Sequence, residues 1–456
     1  RGCMKNTCLW ARRVAKPGSG APWRSDRVEL VVAGGKRLSG SVIASGSKNA
    51  TLAVMAGALL AEGETFIENV PDIGDVGVMA HTLQEIGVSV KRAGPRALRV
   101  RSRRVVHSEP PYELCKMLRA SSLLLGPLLA RNGCARVALP GGDQIGSRPM
   151  DLHVKGLRAL GADVEVEHGY VTARARSLVG ARVYLDFPSV GATENIMMAA
   201  CFAHGTSIIE NAAREPEVVD LANFLALMGA SIRGAGTDVI RIEGGGPLSP
   251  VTYSVIPDRI EAATLLAAGI ITYGNVRVTD VIPTHLESTL SKFGELGAEI
   301  EVGADYVEVS MRSPVRACDT KTLPYPGFPT DMQPQLSAVL ACAAGVSVIT
   351  ESVFENRFLH VDELKRMGAV MRLEGRSLIV EGVPRLTGAR VRAPDLRAGA
   401  ALVLAGLTAE GETVISGVEH IARGHEDLCS KLAALGASIG SRGASMETAA
   451  GEDRSP

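Results

Sequence analysis

One phrase recurs six times along this chain and limits what it can fold into. The phrase is Leu-x-x-hydrophobic-Gly followed by Ala or Val, with Phe293 replacing the leucine in the fourth copy. The copies end at Gly87, Gly161, Gly229, Gly297, Gly368 and Gly436, at spacings of 74, 68, 68, 71 and 68 residues. Spacing this regular marks one structural unit of about 70 residues, used six times, each copy covering the apolar face of the next.

Every unit has the same internal order. A helix comes first, expected at 50–60, 120–130, 192–203, 262–271, 336–344 and 398–409. These segments are apolar almost all round, which predicts helices buried on every side. A glycine then opens a strand, as in Gly63-Glu-Thr-Phe-Ile-Glu and Gly205-Thr-Ser-Ile-Ile-Glu. A second helix follows with one apolar face: Val218, Leu221, Leu225 and Met228, or Leu286, Leu290, Phe293 and Leu296. The repeated glycine suits a left-handed cap at its end. Two alternating strands complete the unit, such as 299–302 and 306–310. The sixth unit runs out after Ser438, and the N-terminal strands 28–32 and 40–44 are expected to complete it, closing the chain on itself. The pattern predicts helices in the centre and sheets outside.

Lys+Arg and Asp+Glu both number 49, so the net charge is zero, which argues against a chain held to nucleic acid or membrane by bulk charge. Residues 1–24 carry six cations and no acid, leaving the rest about six units negative. An anionic ligand must therefore be gripped by locally placed cations. The basic N-terminus has no long apolar core, so it is not read as a signal peptide. The eight cysteines form no C-x-x-C pair, and most sit in apolar runs, as expected of reduced thiols in the cytoplasm.

The starts of the buried helices are polar: Ser47-Lys48-Asn49, Arg119-Ala-Ser121, Ser189-Val190-Gly-Ala-Thr193, Asp258-Arg259, Thr330-Asp331 and Asp395-Leu-Arg397. Ser, Thr, Asp and Asn are ordinary helix caps. Free N–H groups at several helix starts, reinforced by Lys48, Arg119 and Arg397, would also build an anion site. A glycine-rich loop, Leu139-Pro-Gly-Gly-Asp143-Gln-Ile-Gly-Ser-Arg148-Pro149-Met150-Asp151-Leu152-His153, carries an acid, an arginine and a histidine on a permissive backbone.

With these motifs, the chain resembles a known family. Ser45-Gly-Ser-Lys48-Asn49-Ala, the Pro-Gly-Gly-x-x-Ile-Gly-x-Arg-Pro loop, Asn211-Ala-Ala-Arg-Glu215-Pro-Glu217, Phe328-Pro-Thr-Asp331-Met-Gln, Val353-Phe-Glu-Asn-Arg357-Phe, Asp395-Leu-Arg397 and Glu419-His-Ile-Ala-Arg423-Gly look like those of the enolpyruvyl transferases that act on UDP-N-acetylglucosamine. The resemblance runs from about Arg27 to Ser438. It implies an α/β fold of two inside-out α/β barrels, three units each, on a two-stranded hinge near 44–47 and 255–258. The expected domains are 48–256, carrying a catalytic loop at about 139–150, and 25–47 plus 257–440. Residues 1–24 and 441–456 are read as disordered extensions.

The resemblance also implies a reaction. The enolpyruvyl group of phosphoenolpyruvate moves to the sugar 3-hydroxyl by addition and elimination, and phosphate leaves, opening peptidoglycan precursor synthesis. Lys48, Asn49, Arg148, Arg357, Arg397 and Arg423 are the residues expected around phosphoenolpyruvate. Arg119, Arg148, Pro149, Met150, Asp151, Leu152, Phe187, Pro188, Ser189, Val190, Asp331 and Val353 are those expected around the nucleotide sugar. Asp331 is the expected base at the hydroxyl, and Asp143 the expected acid at C3, with Lys48 and Arg423 completing the catalytic set. Asp143 departs from the family pattern, where this loop position is usually cysteine. A carboxyl can still donate a proton, but it removes the thiolate that the epoxide fosfomycin alkylates, so insensitivity to that drug is expected. Phe187 and His425 also depart, from Lys and Tyr in some relatives. No metal or cofactor is implied, and oligomeric state is not legible. Two other readings stay open at this point: the shikimate-pathway enolpyruvyl transferase, and a noncatalytic relative that only binds nucleotide sugars.

Overall fold

The computed structural model describes residues 28–103, 105–141, 145–146 and 149–443. Asp143, Arg148, residues 1–24 and the tail beyond Gly443 lie outside the described residues.

Six sheets surround two clusters of buried helices. The helices that are apolar all round are buried all round. In Leu396–Thr408 every residue from Leu396 to Leu407 is buried, and in Arg259–Ile271 every residue from Ile260 onward. The second helices bury one face only; Asp151–Ala159 buries His153, Val154, Gly156 and Leu157. All six repeated glycines have positive φ, from 89° at Gly368 to 114° at Gly229. That is the left-handed conformation that ends a helix with little steric cost only at glycine.

Three buried helices depart from the expected form: in the first unit, helix Lys48–Gly57 passes into 3-10 segment Ala58–Leu60. The second unit begins with a 3-10 segment, Arg119–Leu124, before helix Leu125–Asn132. There Ser121 Oγ donates to Leu118 O (2.8 Å) and Ser122 Oγ to Arg119 O (3.0 Å), which favours a tighter turn. In the fifth unit, 3-10 segment Thr330–Met332 precedes helix Gln333–Leu340.

One apolar cluster runs from Ala50 to Val255; the other takes Leu30 to Ala44 and Ile260 to Leu435. The strands show how the chain passes between them. In the third, fifth and sixth units the strand before the buried helix pairs in parallel with the strand after it, as Arg182–Tyr184 does with Gly205–Glu210. At two places this partnership is exchanged. Strand Ser39–Ile43 precedes helix Lys48–Gly57 of the first core but pairs with Asn275–Thr279 of the second. Strand Thr252–Ser254 precedes helix Arg259–Ile271 of the second core but pairs with Gly63–Glu68 of the first.

This exchange corrects one expectation. Strand Val28–Ala33 does complete the sixth unit's sheet, between Glu412–Ser416 and Ser438–Gly443. Segment 40–44, expected beside it, instead edges the fourth unit's sheet, because it is the displaced pre-helix strand of the exchange. The tail boundary at 440 is also corrected: Ser441, Arg442 and Gly443 pair with Leu30, Glu29 and Val28, so the ladder continues to Gly443.

The two crossing segments lie side by side. Ser47 N donates to Ile256 O (2.8 Å), Asp258 N donates to Ser45 O (2.7 Å), and Gly46 bridges Pro257. At Gly46 a Cβ would lie 1.6 Å from Asn69 O, so no other residue fits without moving the backbone. Buried Glu261 accepts from Ser45 N (3.1 Å) and from Lys431 Nζ, tying the crossing to the second core.

Candidate active site

Four of the six buried helix starts carry side-chain caps, whereas the 3-10 starts at Arg119 and Thr330 carry none. Ser47 Oγ accepts from Ala50 N and Ser189 Oγ from Ala192 N, both at 3.4 Å. Asp395 Oδ1 accepts from Arg397 N (2.8 Å) and Ala398 N (2.9 Å). Asp258 serves both cores. Its Oδ1 accepts from Ile260 N and Glu261 N of its own helix at 2.9 Å, and its Oδ2 from Lys48 N of the first core's helix at 3.0 Å. One carboxylate thus fixes two buried helix starts side by side and places the Lys48 side chain at the seam.

Asp331 is the centre of the second core's contribution. Its Oδ1 pairs with Arg357 Nη2 at 2.8 Å, and its Oδ2 with Arg397 Nη2 and Nε at 2.8 and 3.2 Å. Arg397 is 1% exposed and Arg357 5%, so both charges are committed to this spot. Burial pushes the Asp331 carboxyl upward, but the fields of Arg357, Arg397 and Lys48 outweigh it and hold the group well below the usual carboxylate range. Arg357 is itself aimed by its neighbours: Nη1 donates to Thr330 Oγ1 (2.9 Å), which donates to buried Glu351 Oε2 (2.9 Å). Glu351 Oε1 accepts from Val353 N and Phe354 N, fixing the loop that carries Val353 and Arg357. His425 Nε2 lies 3.4 Å from Arg397 Nη1. Burial, then Arg397, Lys48 and Lys431, keep this imidazole neutral, so it faces the guanidinium as a neutral ring.

On the other side of the seam, Lys48 Nζ lies 3.5 Å from Asp75 Oδ2, and Asp75 Oδ1 accepts from Arg423 Nε at 2.8 Å. Arg423 comes from the second core and also donates to Met117 O of the first (3.1 Å). Asp75 was not singled out from the sequence. It opens an amphipathic helix, where an acid is unremarkable, and its partner stands 348 residues away.

A cleft of about 1660 Å³ opens between the cores; Arg119 lines it, whereas Lys48, Asp331, Arg357, Arg397 and Arg423 lie outside its lining. Arg119, Pro149, Met150 and Asp151 line one wall, and Glu355, Asn356, Phe358 and Asp362 the other. Asn356 N donates to Ile145 O (3.1 Å), joining the second core to a residue of the first. Leu152, Phe187, Pro188, Ser189, Val190 and Val353 lie outside the cleft lining; Phe187 is exposed, and Ser189 and Val190 start helix Val190–Ala200. Asn49 is exposed on the first turn of its helix. His153 is buried, its Nδ1 2.9 Å from Asn195 Nδ2; burial and the nearby Arg119 charge lower its pKa to about 3. It therefore packs inside the core instead of facing the cleft. The arrangement can bind a multiply charged anion where the cores meet and hold a carboxylate beside it.

Comparison with known proteins places this geometry. A family model described as EPSP synthase (3-phosphoshikimate 1-carboxyvinyltransferase) matches residues 32–432. A UDP-N-acetylglucosamine 1-carboxyvinyltransferase 1 of Caldanaerobacter subterraneus subsp. tengcongensis is 52% identical over 91% of this chain and 99% of its own length. A second, from Symbiobacterium thermophilum, is 54% identical over 90% of this chain and 94% of its own. Among solved structures, the enolpyruvyl transferase NikO from Streptomyces tendae superposes with a TM-score of 0.82 at 29% identity, covering 92% of this chain and all of NikO. EPSP synthase from Acinetobacter baumannii shares the fold, with a TM-score of 0.71 at 20% identity, over 91% of this chain and 99% of that one. The chain belongs to the enolpyruvyl transferase family, among the UDP-N-acetylglucosamine 1-carboxyvinyltransferases.

Proposed function

We propose that this chain transfers the enolpyruvyl group of phosphoenolpyruvate to the 3-hydroxyl of UDP-N-acetylglucosamine and releases phosphate, as the committed entry to peptidoglycan precursors in the cytoplasm. Among the described residues no helix is long and apolar enough to cross a membrane. The observation that carries the reading is the meeting of Lys48, Arg357, Arg397 and Arg423 at one seam, in a chain more than half identical to two such transferases.

In this reading Lys48, Asn49, Arg148, Arg357, Arg397 and Arg423 hold phosphoenolpyruvate. The nucleotide sugar enters the cleft beside Arg119 and 149–152 and reaches Phe187–Val190, Asp331 and Val353. Asp331 takes the hydroxyl proton as that oxygen attacks C2, and a proton is delivered to C3 from Asp143. Elimination then removes a C3 proton and expels phosphate. A carboxyl held low by two arginines is a weak base. The carboxylate of phosphoenolpyruvate competes for the same guanidinium groups, so its binding relieves their hold on Asp331 and raises its basicity. Asp143 needs the opposite shift, upward from about 3.9, which burial and a nearby phosphate would supply. The two cores act as domains that close over the pair of substrates about the crossing at 44–47 and 255–258.

Phosphate release coupled to a colorimetric or enzymatic readout tests this, with phosphoenolpyruvate and either UDP-N-acetylglucosamine or shikimate 3-phosphate as acceptor. Turnover is expected only with the nucleotide sugar. Turnover with the shikimate ester, or nucleotide-sugar binding without phosphate release, would overturn the assignment.

A further inference from the structure

We propose that Asp75 sets how firmly the site holds phosphate, because its carboxylate and a phosphate dianion compete for the same two cations, Lys48 and Arg423. The inference rests on the assignment of those two residues to phosphoenolpyruvate. Asp75 is the second residue of helix Gly74–Glu85, and its side chain is 4% exposed. Each oxygen faces a different cation: Oδ1 is 2.8 Å from Arg423 Nε, and Oδ2 is 3.5 Å from Lys48 Nζ. Lys48 belongs to the first core and Arg423 to the second, so this one carboxylate lies across the seam. The seam is supported on both sides. Arg423 Nη2 donates to Met117 O (3.1 Å), and Asp72 N donates to Glu426 Oε1 (2.9 Å).

A reaction that ends in inorganic phosphate must also let it go. Two partly buried cations facing a dianion without a competing charge would hold the product firmly, since Coulomb energy rises as water is excluded. Asp75 opposes this in two ways. It offers the cations an internal partner as phosphate leaves, and it repels phosphate at close range. The exchange also passes the two cores from a phosphate-bridged to a carboxylate-bridged contact without leaving either cation bare. Asp75 is thus a positioning residue whose signature is product affinity, a quantity that general loosening of the seam would move in the opposite direction.

The test measures the inhibition constant of inorganic phosphate against phosphoenolpyruvate in the full chain, together with kcat. Asp75→Asn keeps the shape and removes the charge; it is expected to tighten phosphate inhibition about tenfold and to lower kcat through slower release. Asp75→Glu, which restores the charge, is expected to lie near wild type. If Asp75→Asn folds too poorly to assay, Asp75→Ser carries the same expectation. Phosphate inhibition that is unchanged or weakened in the uncharged variants would overturn the proposal. Lys48→Ala separates the two levels of the argument, since it is expected to weaken phosphate inhibition. If it does so while Asp75→Asn changes nothing, the role of Asp75 alone falls. If Lys48→Ala changes nothing, the phosphate assignment falls and the proposal with it.

Discussion

At the scale of single residues, Asp143 in the glycine-rich loop yields a sharp expectation. If Asp143 donates the proton as proposed, Asp143→Ala is expected to lower phosphate release by about 10²-fold or more, whereas Asp143→Cys is expected to retain turnover. Intact-mass measurement after incubation with fosfomycin is expected to show no loop adduct on the native chain and one adduct on Asp143→Cys. A second expectation concerns His153. Its folded pKa of about 3 lies below the usual value near 6.5. The unfolded chain therefore binds a proton that the folded chain refuses. The resulting stability is present above about pH 6.5 and is lost as pH falls toward 3. His153→Gln removes that dependence. The gap in unfolding free energy between wild type and variant is expected to shrink by about 2 kcal/mol between pH 7 and pH 5, read from urea midpoints at each pH. The polar helix starts, with Lys48, Asp331 and Arg397, were legible because such starts concentrate caps and charges locally. Their partners were not: Asp75 with Arg423, or Arg397 with Asp331, meet only through the tertiary fold.

At the scale of elements, the six-fold glycine phrase located the amphipathic helices and the left-handed turns that end them, since both follow from local periodicity and φ. Where the reading slipped, the deciding force was not local. Serine hydroxyls tightened the start at Arg119–Leu124, and the exchange of edge strands moved Ser39–Ile43 to the fourth unit's sheet. An edge strand's own sequence carries no record of which neighbour it joins. The shared cap at Asp258 can be tested at this scale. Losing one cap costs about 1 kcal/mol, so Ser189→Ala, which affects one helix, is expected to destabilise by that amount. Asp258→Ala affects two helices and is expected to cost about twice as much. Denaturant unfolding of the two variants, side by side with wild type, gives the comparison.

At the scale of the whole molecule, the two apolar clusters are fed by the chain differently. The cluster from Ala50 to Val255 is built from one continuous stretch, and its closing strand Thr252–Ser254 is the last piece of that stretch. The other cluster is stitched from both ends of the sequence: Val28–Ala33 lies between Glu412–Ser416 and Ser438–Gly443. The order of synthesis then matters. The first core has every strand it needs once residues near 254 have left the ribosome. Strand Val28–Ala33 must wait unpaired until Glu412–Ser416 and Ser438–Gly443 have emerged. Ribosome-stalled chains ending near residue 300 are therefore expected to resist protease over 50–255 and to be cut near 28–44. Only the emergence of Glu412–Ser416 and Ser438–Gly443 protects that strand, so a protease that samples nascent chains reads, at that one ribbon, whether synthesis has passed Gly443.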